Sequence, residues 1–168
     1  MPNYAGLTTA LATFAAGTTD DAIISAINAQ TVTVPIAVPT SSLAAYLATN
    51  GFTVALQAYA GVDGGAPPSG ASTLSIQAAK MVMLLISASP AVPTMDFTNA
   101  AVVAEVTACL AAFVAEGTAG RLLSIAGVPF GATHQAAILA IGSTTTSQAA
   151  QLGFPNGITE NDLIVARQ

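Results

Sequence analysis

Eight acidic and three basic side chains are all the formal charge that this chain of 168 residues carries. They are Asp20, Asp21, Asp63, Asp96, Glu105, Glu116, Glu160 and Asp162 against Lys80, Arg121 and Arg167. At 7% charged and 53% hydrophobic, the chain has less than a third of the roughly 25% charge of an ordinary globular domain. Such a shortage points either to a membrane protein or to a protein whose surface is largely covered, because an isolated soluble monomer relies on surface charge. A transmembrane helix needs about 20 consecutive apolar residues. The best window, 100–115, is interrupted by Glu105 and Thr107 and is mostly alanine, and the run Met81 to Ile86 is too short. No membrane-spanning helix is therefore expected. The opening Met1-Pro2-Asn3-Tyr4-Ala5 has no base and Asp20-Asp21 follow soon after, which is unlike a cleaved secretory signal.

Charge also limits the partners. Nucleic-acid affinity scales with the phosphates neutralised, and anionic membrane surfaces recruit clustered Lys and Arg. Three bases supply neither footprint, so no nucleic acid and no membrane are expected among the partners. One cysteine, Cys109, allows no internal disulfide. The length suits a single domain with a real core.

Frequent alanine favours helix, while scattered Thr, Ser, Gly and Pro cut the helices short. Leu7, Leu11 and Phe14 fall at helical spacing, which predicts a first helix over 4–16 stopped by Gly17. Thr18 or Thr19 caps a second helix with Asp20 and Asp21 in its first turn, where the helix dipole favours acids. Residues 31–39 read TVTVPIAVP. Alternating Thr and Val predict an extended, β-like segment, and Pro35 and Pro39 restrict it to an edge strand or an arm. A third helix, capped by Thr40 or Ser41, closes at Asn50-Gly51, and 52–60 continues as helix or turns into strand, with helix preferred. The Gly- and Pro-rich stretch 62–73 is a flexible loop. A strongly apolar helix starts at Thr73 or Ser75 and ends near the ASPAVP segment at 88–93. The longest helix, over 99–116, has apolar residues all around its axis and is expected at the centre, with Gly117 as its stop. Short helices over 120–126, 133–140 and 144–152 follow, and the capped segment from Ile158 to Arg167 closes the chain. The fold class read from this pattern is mainly α. It is a compact bundle of about six or seven short helices in one helical domain over 1–168, with the extended segment at 31–39.

Few groups are placed to carry chemistry. His134 is the only histidine. A catalytic triad would pair it with, for instance, Ser124 and Asp162, but no G-x-S-x-G elbow surrounds a serine, and a first-turn helix residue facing solvent or a neighbour explains it. The acid pairs Asp20-Asp21 and Glu160/Asp162 sit where helix N-termini favour carboxylates. One Cys and one His match no metal-ligand spacing, and Asp63 stands alone in its loop, short of the clustered oxygens calcium requires. That loop also lacks the lysine of a phosphate-binding turn. Cys109 reads as a buried, inert thiol, and Met81 and Met83 could form a soft binding surface but at this spacing read as core. Lys80 interrupts an apolar helix, where a lysine snorkels or pairs with an acid across an interface. No catalytic, cofactor-binding or metal site is expected, no cofactor is implied, and the chain is read as a non-enzyme.

Two stretches carry a resemblance. Residues 19–35, TDDAIISAINAQTVTVP, resemble a "T-D-x-x-I-x-x-x-(I/L)-N-x-x-T-V" opening of small proteins of tailed bacteriophages, and 38–47, VPTSSLAAYL, resemble the helix that follows it. The close, SQAAQLG at 147–153 and ITENDLIVAR at 158–167, is similar to that group's "R-A-x-E-L-G … V-x-x-x-D-(V/L)-x-x-A-R". Gln148 and Gln151 stand where the group often has charges. The resemblance covers both ends and little of the middle. It implies a structural or assembly component of a virion, such as capsid cement, connector, or tail or fibre protein, assembled in the bacterial cytoplasm. Its partners would be other virion proteins and copies of itself. The segment at 31–39 would suit an arm that adds to a neighbour's sheet edge. Other readings are an assembly adaptor absent from the finished particle, a small-ligand binding module, and a hydrolase built on His134.

Overall fold

A computed structural model describes residues 1–62, 64–87 and 94–168; Asp63 and the ASPAVP segment at 88–93 lie outside the described residues. The chain is mainly α, as its periodicity predicts, with nine helices and four short strands among the described residues. Its contacts divide the expected single helical domain into two compact units, one of residues 1–34 with 144–168 and the other of residues 35–143. The chain passes between them at Val34-Pro35 and Ser143-Thr144.

The first unit is built from helices α1 (Tyr4–Leu11), α2 (Asp20–Ala29), α8 (Gln148–Gln151) and α9 (Glu160–Ala166). Leu7, Ile27 and Leu163 are fully buried, together with Ile23, Ala149, Phe154 and Ile158. Helix α1 stops short of the expected Ala16. The amides of Thr13 and Phe14 bond to carbonyls three residues back, Ala10 and Leu11, and the Thr13 hydroxyl also takes the Ala10 carbonyl. That tightening ends the α-helical ladder. Thr19 caps α2 as expected, accepting from the Ala22 amide.

A helix over 144–152 is not formed. Residues Ser143–Ser147 are strand β4, paired with β1 (Thr31–Pro35) in a two-stranded sheet, and only the four residues of α8 are helical. Three successive threonines, stiff at χ1 and suited to a pleated strand, outweigh the alanines behind them. Ser147 then caps α8 through the Ala150 amide.

In the second unit, the extended reading of 31–39 continues as β2 (Ala37–Pro39). It is antiparallel to β3 (Thr94–Asp96), with Val38 opposite Met95. Each sheet has two strands, so both prolines lie on edges, where a missing N–H is tolerated. The helices are α3 (Thr40–Thr49), α4 (Thr53–Ala60), α5 (Thr73–Ser87), α6 (Ala100–Thr118) and α7 (Ala132–Ile141). The expected cap on α3 is absent. Thr40 is already inside the helix and buried, Pro39 precedes it, and the Thr40 hydroxyl donates to the Leu85 carbonyl at 3.4 Å.

Phe52, Phe113 and Phe130 pack edge to face with centroids 5.1 and 5.7 Å apart. Around them Leu47, Leu56, Tyr59, Leu122 and Ile138 complete the core. The helix expected over 120–126 is instead a tight hairpin. Leu123 bridges Pro129, the Ser124 amide bonds to the Val128 carbonyl, and Gly127 turns at φ +77°. Pro129 has no N–H for a helix, and the hairpin delivers Phe130 to the core. Gly117, read as a stop, lies within α6 and is buried. The Phe130 backbone fills the place a Cβ would take.

Helix α6 departs most from expectation. Only Leu110, Phe113, Glu116 and Gly117, all toward its C-terminal end, are buried, while Ala101, Ala104, Glu105 and Ala108 are exposed. Its apolar residues surround the axis, but the core covers one side, fully in the C-terminal half and only partly at Val103, Val106 and Cys109. Although Glu105 and Thr107 interrupt it, α6 is long and apolar enough to cross a membrane by length and composition alone, with mean hydropathy 1.7.

Candidate functional site

Because α6 is covered on one side only, an apolar groove of about 260 Å³ opens in the second unit. Its floor is the core itself, with Leu43 and Leu47 from α3, Leu110 and Phe113 from α6, and Ile138 from α7. Its walls are Met81, Val82 and Leu85 of α5 facing Val102, Val106 and Cys109 of α6. Asp96 and Glu105 stand at its edge, both exposed. Val102, Val106 and Cys109 recur at helical spacing, and Glu105 lies one residue from that row, which puts the carboxylate beside the trough.

Two residues read as core are therefore wall. Met83 is buried as expected, but Met81 is 43% exposed in the groove. Cys109 is half-buried rather than sealed in the interior. Burial, and then the nearby Glu105 carboxylate, push its thiol pKa above the usual value, so it is a sluggish nucleophile at neutral pH.

The most strongly tuned acid is one that sequence reading passes over. Glu116 is 1% exposed, and its carboxylate accepts four bonds. They come from the Tyr59 hydroxyl at 3.1 Å, the Ser72 amide at 2.8 Å, the Ser75 hydroxyl at 2.9 Å and the Arg121 Nε at 2.6 Å. Burial alone would raise its pKa, but the bonds from Arg121, Ser72, Ser75 and Tyr59 outweigh burial and hold it at about 2. Tyr59 is pushed up to about 12 by burial and by the same carboxylate. The cluster ties α4, the entry to α5, α6 and the 121–130 hairpin together. With its four bonds all drawn from within the fold, this is a structural anchor. The one signal in the sequence was an acid in an apolar helix with an arginine five residues on.

His134 lies in the first turn of α7. Its Nδ1 is 2.8 Å from the Tyr46 hydroxyl, and its ring packs against Phe52 and Phe130 at 4.8 and 5.6 Å. Ser124 uses its hydroxyl oxygen to accept the Val128 amide at 3.0 Å. Asp162, in the first unit, accepts from Tyr4 and from the amide and hydroxyl of Thr159. Each member of the conceivable triad is thus engaged in its own local bond. Asp20 has a partner that spacing did not reveal, since Arg167 donates to both of its oxygens at 2.7 and 3.0 Å. The bonds from Arg167 hold the Asp20 carboxyl below its usual value. Lys80 is exposed and has no ion-pair partner among the described residues. Among those residues no three His, Cys, Asp or Glu side chains cluster as metal ligands.

No protein-family model matches the chain, and neither does any curated protein or solved structure.

Proposed function

We propose that this chain is a non-enzymatic structural component of a tailed-phage virion that works through protein–protein contacts. The observation that carries the reading is uncovered apolar surface on a chain short of charge. Leu84 is 70% exposed, Ile125 77%, Val54 58% and Leu74 50%, and the groove adds a further apolar trough. So many large apolar side chains left open in one unit of a chain with little charge favour an interaction surface. The phage-like stretches at 19–47 and 147–167 support the virion context, with assembly in the host cytoplasm and other virion proteins or further copies of the chain as partners.

Mass spectrometry of particles purified from the phage that encodes the chain tests the reading. Stoichiometric presence is expected, and absence from particles that need the gene to form would move the chain to the class of assembly adaptors. Ultracentrifugation supplies a second test, because a monomer that never associates, alone or with particle proteins, contradicts a covered surface. The groove also favours a small-ligand module as the second reading. Thermal stabilisation by an apolar compound would reveal such a module, since a ligand at about 100 times its Kd adds roughly 2.7 kcal/mol.

A further inference from the structure

The groove of the second unit is apolar along its floor and walls, yet the charge at its edge is one-sided. Among the described residues its lining includes two carboxylates, Asp96 and Glu105, and no base. Neither acid has a cation within ion-pair distance among the described residues. Asp96 spends one oxygen on the Thr98 amide at 3.0 Å, and Glu105 is exposed. Two unneutralised acids beside an apolar trough repel an acidic or phosphorylated occupant. They attract one that sets a cation beside its apolar part.

A second copy of the chain fits this edge poorly. Arg121 and Arg167 are already committed to Glu116 and Asp20, which leaves Lys80, and the net charge of −5 opposes self-approach. At about 260 Å³, the groove lies just below the roughly 300–1,000 Å³ of small-molecule sites. With Met81 in its wall 43% exposed, the trough is open to solvent along α5. That shape suits a short row of apolar side chains projected from an amphipathic helix.

We propose that the groove between α5 and α6 docks an amphipathic helical segment of a partner protein, with a Lys or Arg next to its apolar anchors that pairs with Glu105 and Asp96. The proposal rests on the protein-contact reading above and specifies the chemistry of the partner.

The chain offers its own reporters. It has no tryptophan and a single cysteine, and that cysteine lines the groove. The probe is a synthetic helical peptide with leucines at i, i+4 and i+7, one tryptophan, and flanking lysines. Its control carries glutamates in place of the lysines. On the full chain, the lysine peptide is expected to shift its tryptophan emission and to slow maleimide alkylation of Cys109 by about threefold or more, while the glutamate peptide does neither. Glu105→Gln, at an exposed position that leaves the fold intact, is expected to weaken the lysine peptide by about three- to tenfold, and added salt should act in the same direction. Val106→Asp should abolish protection.

Equal binding of the two peptides, or unprotected Cys109 with both, overturns the proposal. So does protection that appears with rising chain concentration alone, which would assign the groove to a second copy. Protection by dodecylamine with none by the lysine peptide overturns it in favour of a small-molecule site. A chain missing from purified particles would remove the virion reading while leaving the peptide result intact. A chain present in particles with an unresponsive Cys109 would remove only the docking proposal.

Discussion

The two units of this chain solve the same compositional problem in opposite ways. The first closes its small core with polar side chains that stand in for backbone. Asn28 both accepts the Ile158 amide at 2.8 Å and donates to the Ile158 carbonyl at 3.2 Å, as a neighbouring peptide group would. Asn3, Thr19, Ser147 and Asp162 bond the amides at helix starts. The second unit has the larger core, with three packed phenylalanines and one buried carboxylate, but it leaves that core open at the groove. Val54, Val62, Leu74, Met81, Leu84, Leu123, Ile125 and Val128 are its exposed large hydrophobics, against Met1, Ile164 and Val165 in the first unit. Low charge is therefore not one property spread over the chain. One unit is finished by polar bonds, several of them joining its two chain segments, and the other presents apolar surface to be finished from outside.

The comparison can be broken most forcefully at Gly117. Any side chain there meets the Phe130 backbone, and main chain cannot rotate away as a side chain can. Gly117→Val is expected to cost about 4 kcal/mol, the range of severe overpacking. Hydrogen exchange read residue by residue should place the loss in 35–143. Equal loss of protection in 1–34 and 144–168 would show that the units do not differ in the way described.

Glu116 comes next. Its carboxyl lies at about 2 in the folded chain against 4.5 for the unfolded group. Because the folded value is the lower one, the stabilisation is complete above pH 4.5 and is lost as pH falls toward 2. The gap corresponds to roughly 3 kcal/mol for this buried group. Glu116→Gln should remove about that much at pH 7 and flatten the acid limb of the stability curve. A denaturant series from pH 7 to pH 2 that shows the same slope in both proteins would refute the anchor.

Much of this was legible in the sequence, and the failures share a cause. Thr19 ahead of Asp20-Asp21, the prolines at the strand edges and the Asn50-Gly51 stop are local chemistry that the sequence carries openly, although the Thr40 cap and the length of α1 departed from the same kind of local reading. The 144–152 segment misled because alanines on one side masked three threonines on the other. Gly117 misled because a glycine needed for a close approach looks in sequence like a glycine needed for a stop. The groove could not be read at all. Val102, Val106 and Cys109 have the spacing of a core stripe, and nothing local tells whether another element covers them. Glu116 differs in kind, since its partners Tyr59, Ser72 and Ser75 are brought to it by the turn between α4 and α5.

In the first unit the expected effects are smaller. Asn28→Ala removes two bonds to Ile158 and leaves that amide and carbonyl to find water, a loss of about 1–2 kcal/mol. Protection of the 158–163 amides in hydrogen exchange should fall first. Undiminished protection there would mean that water replaces the amide side chain without cost.

The smallest effect belongs to Arg167→Ala. Its pair with Asp20 is bidentate but exposed on both sides, at 45% and 37%, so solvent and salt screen it. The midpoint of denaturation should move little, and less still in high salt. The Asp20 carboxyl, held below its ordinary value by the bonds from Arg167, should titrate at the ordinary value in the variant. Its folded value is depressed, so the contribution of the pair is present at neutral pH and disappears as acid protonates Asp20. Carboxyl-detected NMR titration separates this from the Glu116 response, which should be unchanged by Arg167→Ala. If instead Arg167→Ala destabilised the chain as much as Glu116→Gln, the exposed pair would be the stronger anchor. The contrast between a unit closed by individually weak polar bonds and a unit fixed by one buried carboxylate would then be reversed.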